Sequence, residues 1–219
     1  ASHELRTPLT TLRSVGEVGL RRGRTVEEYR EIIGSMLEEA QRLHRLVERL
    51  LELASAEGGG KQVHREPVQL DQLAAACVQE LGLLAEHKQQ QLSLTAAPCR
   101  VQTDPVLLWP ALQNLIDNAM KYSPAGTTIR IAVAAGAGEC RVSVTDAGPG
   151  IPAGQRARLA DRFYRAEGAR AGGGFGLGLA ITQAYMRALG GRIDYAPAEP
   201  TGSCFSLILP ADRPRGEGS

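Results

Sequence analysis

The sequence predicts an α+β protein in two parts: an antiparallel helical hairpin, then a mixed sheet with helices on one face. Three observations lead there. Apolar residues recur at alternating steps of three and four through 26–54, the period of a helix packed along a seam. Past the three glycines at 58–60, short strand-like alternations follow one another with helical stretches between them. Hydrophobic content of 43% and charged content of 22% are those of an ordinary globular chain.

Charge and cysteine usage exclude several classes. The formal net charge is +1 and no basic run is long, so the footprint of a nucleic-acid binder is missing. Cys77, Cys99, Cys140 and Cys204 are scattered with no C-x-x-C pair, which argues against a zinc site or a disulfide framework. They read as buried thiols in a reducing compartment. No apolar run approaches the ~18 residues of a membrane span, and no signal peptide stands at the start. The fragment is expected to be soluble and cytoplasmic, without membrane contact of its own.

The first helix, over 1–22, carries Leu5, Leu9 and Leu12 on one side, continued by Gly16 and by Gly19 or Leu20. His3, Thr7, Thr10 and Ser14 fall on the opposite, polar side. A core histidine would sit on the seam; an ordinary solvated histidine would look like this one. Pro8 inside the helix is an odd choice unless a bend is useful there. Residues 21–25 form a turn with Thr25 as N-cap of the second helix. That helix carries a seam of Val26, Tyr29, Ile33, Met36, Ala40, Leu43, Val47, Leu50 and Ala54. A second line, Ile32, Leu46 and Leu53, runs beside it, interrupted by Glu39. A seam with a flanking line suits a helix touching two neighbours, so two hairpins are expected to form a dimeric four-helix bundle.

Folded about Gly23, His3 would lie opposite Leu43 to Leu46, leaving Val47 to Ala54 without a partner. The expectation is a first helix that begins upstream, hence a truncated chain and an unusual, swapped or frayed bundle. The predicted domains are 1–57, a glycine-rich linker at 58–62, a second domain at 63–212 and a disordered tail at 213–219.

In the second domain, 63–70 reads as a strand and 71–90 as a helix capped by Asp71. Strands are expected at 92–95 and 100–103, with Asp104-Pro105 opening a helix to Tyr122. Residues 128–134 and 140–145 alternate as half-buried strands do. A loop region with one short helix near 154–161 leads to a helix over 176–189. Strands at 192–195 and 204–209 close the sheet.

Four clusters here carry chemistry. Asn114 and Asn118 lie one turn apart on a single helix face, where their amide oxygens could complete the shell of a magnesium ion that also holds phosphates. Lys121 adds positive charge beside them, although a helix with polar outer residues would look the same. Asp146-Ala-Gly148-Pro-Gly150 follows a strand; its glycines allow close backbone approach, and its carboxylate could accept from an exocyclic amine such as adenine's. Asp161 to Arg165 brings aromatic anchors and arginines to the base of a flexible, lid-like segment. Gly172 to Ala180 is a glycine-rich loop opening a helix, a phosphate cradle. It is neither a Walker A loop nor a dinucleotide fingerprint, since no Gly-Lys-Ser/Thr follows and it lies late in the chain.

Ser2-His3-Glu4-Leu5-Arg6-Thr7-Pro8-Leu9 resembles the phospho-acceptor box of sensor histidine kinases. The four later clusters, in this order, resemble that family's N, G1, F and G2 boxes, within the superfamily of gyrase, Hsp90, kinase and MutL ATPases. The resemblance covers nearly the whole chain. It implies a Bergerat-type α/β sandwich that binds ATP and Mg2+, joined to the dimerisation hairpin. It implies that His3 accepts the γ-phosphoryl group with Glu4 taking its proton, and that Thr7 serves a reverse phosphatase activity. Asn118 and Asn114 would bind magnesium and Asp146 adenine. Lys121, Arg165 and the Gly174, Gly176, Leu177, Gly178 loop would manage phosphates. Tyr122, Gly148, Gly150, Phe163 and Ser203 would line the pocket. Implied partners are a second copy and a response regulator, with a sensing region upstream and a parent anchored in the inner membrane. Ala147, Ala160 and Ser203 depart from the usual Asn, Glu and Thr. The rivals are a pseudokinase that signals by conformation and a clamp or chaperone ATPase of the same superfamily.

Overall fold

A computed structural model describes residues 2–20 (side chains from Leu5), 25–58, 62–136, 138–165 and 174–212. The chain divides into two compact units, Ala1–Ala54 and Ser55–Ser219. Among the described residues no helix is long and apolar enough to cross a membrane. Residues 59–61 of the expected linker and the tail at 213–219 lie outside the described residues.

The first unit is a hairpin of α1 (Ser2–Leu20) and most of α2 (Val26–Glu57). Thr25 starts α2 as expected: its hydroxyl accepts from Glu28 N, and the Glu28 carboxylate accepts from Thr25 N at 2.8 Å. This reciprocal pair satisfies two donors at the helix start. The helices meet at small residues. A Cβ on Gly16 would stand 3.4 Å from Met36, and one on Gly19 3.2 Å from Ile32. Extrapolated from those two contacts, residue 3 comes level with about residue 48, not with Leu43 to Leu46. Gly16 and Gly19 are the points of close approach between the two helices.

The flanking line of α2 is the better covered of its two apolar lines. Leu46 and Leu53 on it are buried, and Ile32 is half-buried. On the long seam, Ile33 is 55% exposed, and Val26, Tyr29 and Val47 are exposed too. In α1 it is Pro8 that is buried, while Leu9 is 52% exposed. Thr7, Thr10 and Ser14 lie in the open, as their stripe predicts.

The second unit is built on a five-stranded sheet of order β2-β4-β5-β7-β6. Its strands are β2 (Gln91–Ala96), β4 (Thr128–Gly136), β5 (Glu139–Thr145), β6 (Arg192–Pro197) and β7 (Ser203–Pro210). β2 and β4 are parallel; the other pairs are antiparallel. A separate antiparallel ladder joins β1 (Glu66–Gln69) to β3 (Arg100–Thr103). Alternation sets the faces. Ile129, Ile131 and Val133 of β4 are buried, as are Cys140, Val142 and Val144 of β5, while Arg130, Ala132 and Arg141 point the other way. The apolar face packs against α3 (Leu70–His87), α4 (Pro105–Tyr122) and α5 (Gly178–Leu189).

Several local expectations need correction. The first strand is cut to Glu66–Gln69 because Leu70 already opens α3, whose N-cap is Gln69. Asp71 lies within the first turn, and its carboxylate accepts from Cys99 N at 3.3 Å. The short helix is a 3-10 turn, Ala153–Arg158, and α5 begins at Gly178 rather than Gly176. Cys99 and Cys140 are not free thiols: they form a disulfide with Cα atoms 6.3 Å apart. They are 41 residues apart in sequence, so only the folding of β5 beside the start of β3 could reveal the pair. Cys77 is a buried free thiol, pushed up to about 12 by burial first and by Glu80 and Asp117 after it. Cys204 is free and only partly covered.

Asp104 closes the start of α4, the helix that carries most of the candidate site. One carboxylate oxygen accepts from Val106 N at 2.9 Å and the other from His64 N at 3.0 Å. Replacing Asp104 with Ala removes the cap and leaves the His64 N–H without its carboxylate. We expect a loss of about 2 kcal/mol and a melting temperature lower by about 4–8 °C, read from a circular-dichroism melt. An unchanged melting temperature would show the cap to be dispensable.

Candidate functional site

Four stretches far apart in sequence converge at one end of the second unit: the C-terminal half of α4, the ends of β5 and β7, and the turn into α5. α4 presents Asn114, Asn118 and Lys121 at helical spacing. Gly178, the first residue of α5, lies against the two asparagines: a Cβ there would be 3.8 Å from both Asn114 Oδ1 and Asn118 Nδ2. The free N–H groups at the start of a twelve-residue helix thus open beside two amides. Asn114 is 6% exposed and its Nδ2 has no partner. A buried amide left unsatisfied is costly unless a ligand completes it.

Lys121 lies on the same side. A Cβ on Gly174 would be 2.6 Å from its Nζ, and it is the φ of +100° that calls for glycine there. The ammonium lies 5.2 Å from the Tyr122 ring centroid. Burial first, then Arg165 and Lys88, lower its pKa from the ordinary lysine value. Lys121 and Arg165 thus bring positive charge close together at this end of α4.

Asp146 is the fourth component. It is 7% exposed, and Oδ1 accepts from Gly148 N at 2.8 Å and Ser203 N at 3.0 Å. Burial pushes its carboxyl above the usual aspartate range, while those two N–H groups and the Ser203 hydroxyl pull the other way. Both backbone donors fall on Oδ1, so the carboxylate keeps acceptor capacity for a ligand. Gly148 admits no side chain, since a Cβ would meet Tyr122 O at 2.9 Å and Asp146 Oδ1 at 3.0 Å.

Every nucleotide-site residue predicted from the sequence can be placed, except Gly172 and Gly173 of the loop. Asn114, Asn118, Lys121, Tyr122, Asp146, Gly148 and Ser203 are gathered around α4 and the strand ends. Gly150 backs onto Gly202 O, where a Cβ would stand 3.1 Å away. Phe163 and Gly176 are joined by the bond from Phe163 N to Gly176 O, 3.0 Å. Leu177, at the N-cap position of α5, is buried. Residues 166–173, which include the expected lid and the first glycines of the loop, lie outside the described residues. So do the side chains of His3 and Glu4; Thr7 is exposed on α1, and its carbonyl accepts from Thr11 Oγ1 at 3.1 Å.

Sequence reasoning missed two contributors. Ser123 Oγ accepts from Ala147 N at 3.2 Å, tying the end of α4 to the Asp146 loop. Gly202 has φ of +125°, and a Cβ on it would come within 3.0 Å of the Asp146 carbonyl carbon and closer to its oxygen. The signal for Gly202 was a glycine one residue before the last strand; its meaning needed the neighbouring strand.

Comparison with known proteins adds a family. Residues 1–59 match the model of the His Kinase A (phospho-acceptor) domain. Residues 103–213 match that of the histidine kinase-, DNA gyrase B-, and HSP90-like ATPase. The sensor protein IrlS of Burkholderia pseudomallei is 37% identical over 215 residues, 96% of this chain and 46% of that protein. The sensor histidine kinase CusS of Escherichia coli is 32% identical over 212 residues, 96% of this chain and 44% of that protein. The chain thus spans about half the length of the curated relatives it matches. The Acinetobacter baumannii histidine kinase AdeS superposes with a TM-score of 0.72 at 26% identity, covering 96% of this chain and 98% of that one. Histidine kinase ThkA, solved in complex with the response regulator protein TrrA, has a TM-score of 0.77 over 96% of this chain and 60% of that one. At 21% identity it shares the fold alone.

Gly202→Ala forces a side chain against Asp146 at a φ that only glycine adopts freely. The expected cost is about 2–4 kcal/mol, a fall in melting temperature of roughly 5–15 °C, measured by calorimetry. A variant as stable as the parent would mean that β7 shifts freely, and the tight join between Asp146 and Ser203 would be refuted.

Proposed function

Because the chain belongs to the sensor histidine kinase family, we propose that it is the catalytic core of such a kinase, binding ATP beside α4 and phosphorylating His3. The observation that carries this reading is the convergence of Asn114, Asn118, Lys121, Asp146 and the start of α5 on one site, in a chain that also bears the His3-Glu4 box. The segment over 103–213 belongs to the family's ATP-binding domain.

Each side chain has a role set by its chemistry. The carboxylate of Asp146 accepts from the adenine amine, and Gly148 lets the base approach the backbone. Lys121, Arg165 and the N–H groups from Gly174 to Gly178 hold the phosphates. Phe163, Tyr122, Gly150 and Ser203 shape the pocket wall. Asn118 and Asn114 would hold Mg2+: the unpartnered amide of Asn114 fits, because rotating it presents oxygen instead of nitrogen. Magnesium when bound neutralises phosphate charge during transfer. Among the described residues no cluster of three or more His, Cys, Asp or Glu could hold a metal, so the nucleotide phosphates would supply much of its shell.

A ring nitrogen of His3 attacks the γ-phosphorus. A P–N bond forms, the bond from the γ-phosphorus to the bridging oxygen breaks, and ADP leaves. Glu4 orients the imidazole and accepts its proton. The phosphoryl group then passes to an aspartate carboxylate of a response regulator. Thr7, one turn further along an open helix face, positions water for the reverse hydrolysis.

The exposed apolar residues of α2, among them Tyr29, Ile33 and Val47, fit a second copy of the hairpin. Joined, two hairpins make a four-helix bundle and a homodimer. Charges placed on this line by the double variant Ile33→Glu and Val47→Glu should convert a two-chain species to one chain in sedimentation. A dimer that survives both charges would exclude this face as its interface.

For the chemistry, incubation with γ-labelled ATP and Mg2+ should leave acid-labile, base-stable label on the protein. His3→Gln should abolish it, and Asn118→Ala should reduce it at least 100-fold. ATP bound without any phosphohistidine would leave a conformational module, and ATP hydrolysed without retained label would leave a clamp-type ATPase.

A further inference from the structure

We propose that Gln90, outside every motif of the nucleotide site, is a positioning residue for that site, acting through the C-terminal end of α4; the inference rests on the ATP-binding reading above.

The reason begins with a proline. The last carbonyls of a helix have no intrahelical donors, and the residue four beyond Met120 is Pro124, which has no N–H to offer. Gln90 supplies the missing donor. Its Nε2 donates to Met120 O at 3.0 Å and to Ser123 O at 2.7 Å, with Pro124 O further off at 3.4 Å. Gln90 is 3% exposed, so these bonds are made away from water. The backbone around it is knitted to the same turn. Gly126 N donates to Gln89 O at 2.7 Å and Gln91 N to Thr127 O at 3.0 Å. Gln89 takes φ of +56°, unusual for a residue with a side chain, and this turn delivers the Gln90 amide to the helix end.

The segment held in this way is 120–124, and three of its members reach the site. Lys121 carries the ammonium beside Gly174. Tyr122 presents its carbonyl to Gly148. Ser123, whose carbonyl takes the shortest of the three Gln90 bonds, accepts from Ala147 N through its hydroxyl. One buried amide therefore holds the phosphate-side lysine and the Asp146 loop in a single register. Its other atom, Oε1, is buried with no partner, a cost that the fold bears for the sake of the nitrogen.

Gln90→Met keeps the length of the side chain and removes only the amide. Measured by titration calorimetry at a temperature where the variant is fully folded, the expected result is a dissociation constant for ATP raised about tenfold. Amide exchange at Ala147, followed by NMR without nucleotide, should quicken by a similar factor. Asp71→Ala, which breaks a bond to Cys99 N elsewhere in the unit, should lower the melting temperature and leave both readouts unchanged. Gln90→Met with a lowered melting temperature but parental ATP affinity and Ala147 exchange would reduce Gln90 to a structural bond and overturn the proposal. If Gln90→Met does not fold, Gln90→Asn, which draws the amide back from the carbonyls of Met120 and Ser123, replaces it, and parental affinity there overturns the proposal equally. Failure of the parent chain to bind ATP would refute the nucleotide site itself, and the exchange of Ala147 would still report on Gln90.

Discussion

The carboxylate of Asp146 holds the working end of the second unit together. It directly follows β5, and one of its oxygens is bound by the N–H of Ser203 at the start of β7, 57 residues later. The antiparallel pairing of Thr145 with Cys204 makes that meeting possible. A buried carboxylate is tolerated only when its hydrogen bonds are made, so β5, β7 and the Gly148 turn must close before this group can be covered. The raised pKa of the group records the desolvation that this closure brings.

Around that carboxylate, backbone approaches where side chains ordinarily stand. Gly202 and Gly148 both lie where a Cβ would strike Asp146 or its neighbours. Gly174 leaves room for the Lys121 ammonium, and Gly176, with φ of +68°, fits under the Tyr164 carbonyl. These positions give polar backbone groups a short path to a ligand, which is what phosphate recognition by N–H groups requires. The cost appears at Phe163, a bulky residue at φ of +63° held there by its bond to Gly176 O.

The helical unit shows a division of labour. Ile32 of the flanking line and Met36 of the longer seam meet the small residues of α1 within the hairpin, while Val26, Tyr29, Ile33 and Val47 of the longer seam stay exposed. Gly16 and Gly19 permit close packing of the pair, so the hairpin needs only a narrow stripe. A helix with two apolar stripes and one internal partner has a surface to give to an interface.

Most of the element order was legible in the residues. Asp104-Pro105 announced the start of α4 because a capping side chain followed by a ring with fixed φ suits that position alone. The Asn114, Asn118, Lys121 face followed from helical spacing, and the glycine-rich turn into α5 from backbone freedom. These are local properties, set by a residue and its near neighbours. The cystine between Cys99 and Cys140, the bond from Asp71 to Cys99 N, the clamp by Gln90 and the need for glycine at 202 were invisible. Each joins groups brought together by strand pairing or helix packing, and no spacing along the chain encodes which distant partner arrives. Sequence by itself determined the local vocabulary, meaning helices, caps, turns and the chemical types offered at the site. Tertiary structure alone decided which of the two lines on α2 is the better covered and which groups hold the site in register, because burial and long-range hydrogen bonds are properties of the assembled neighbourhood.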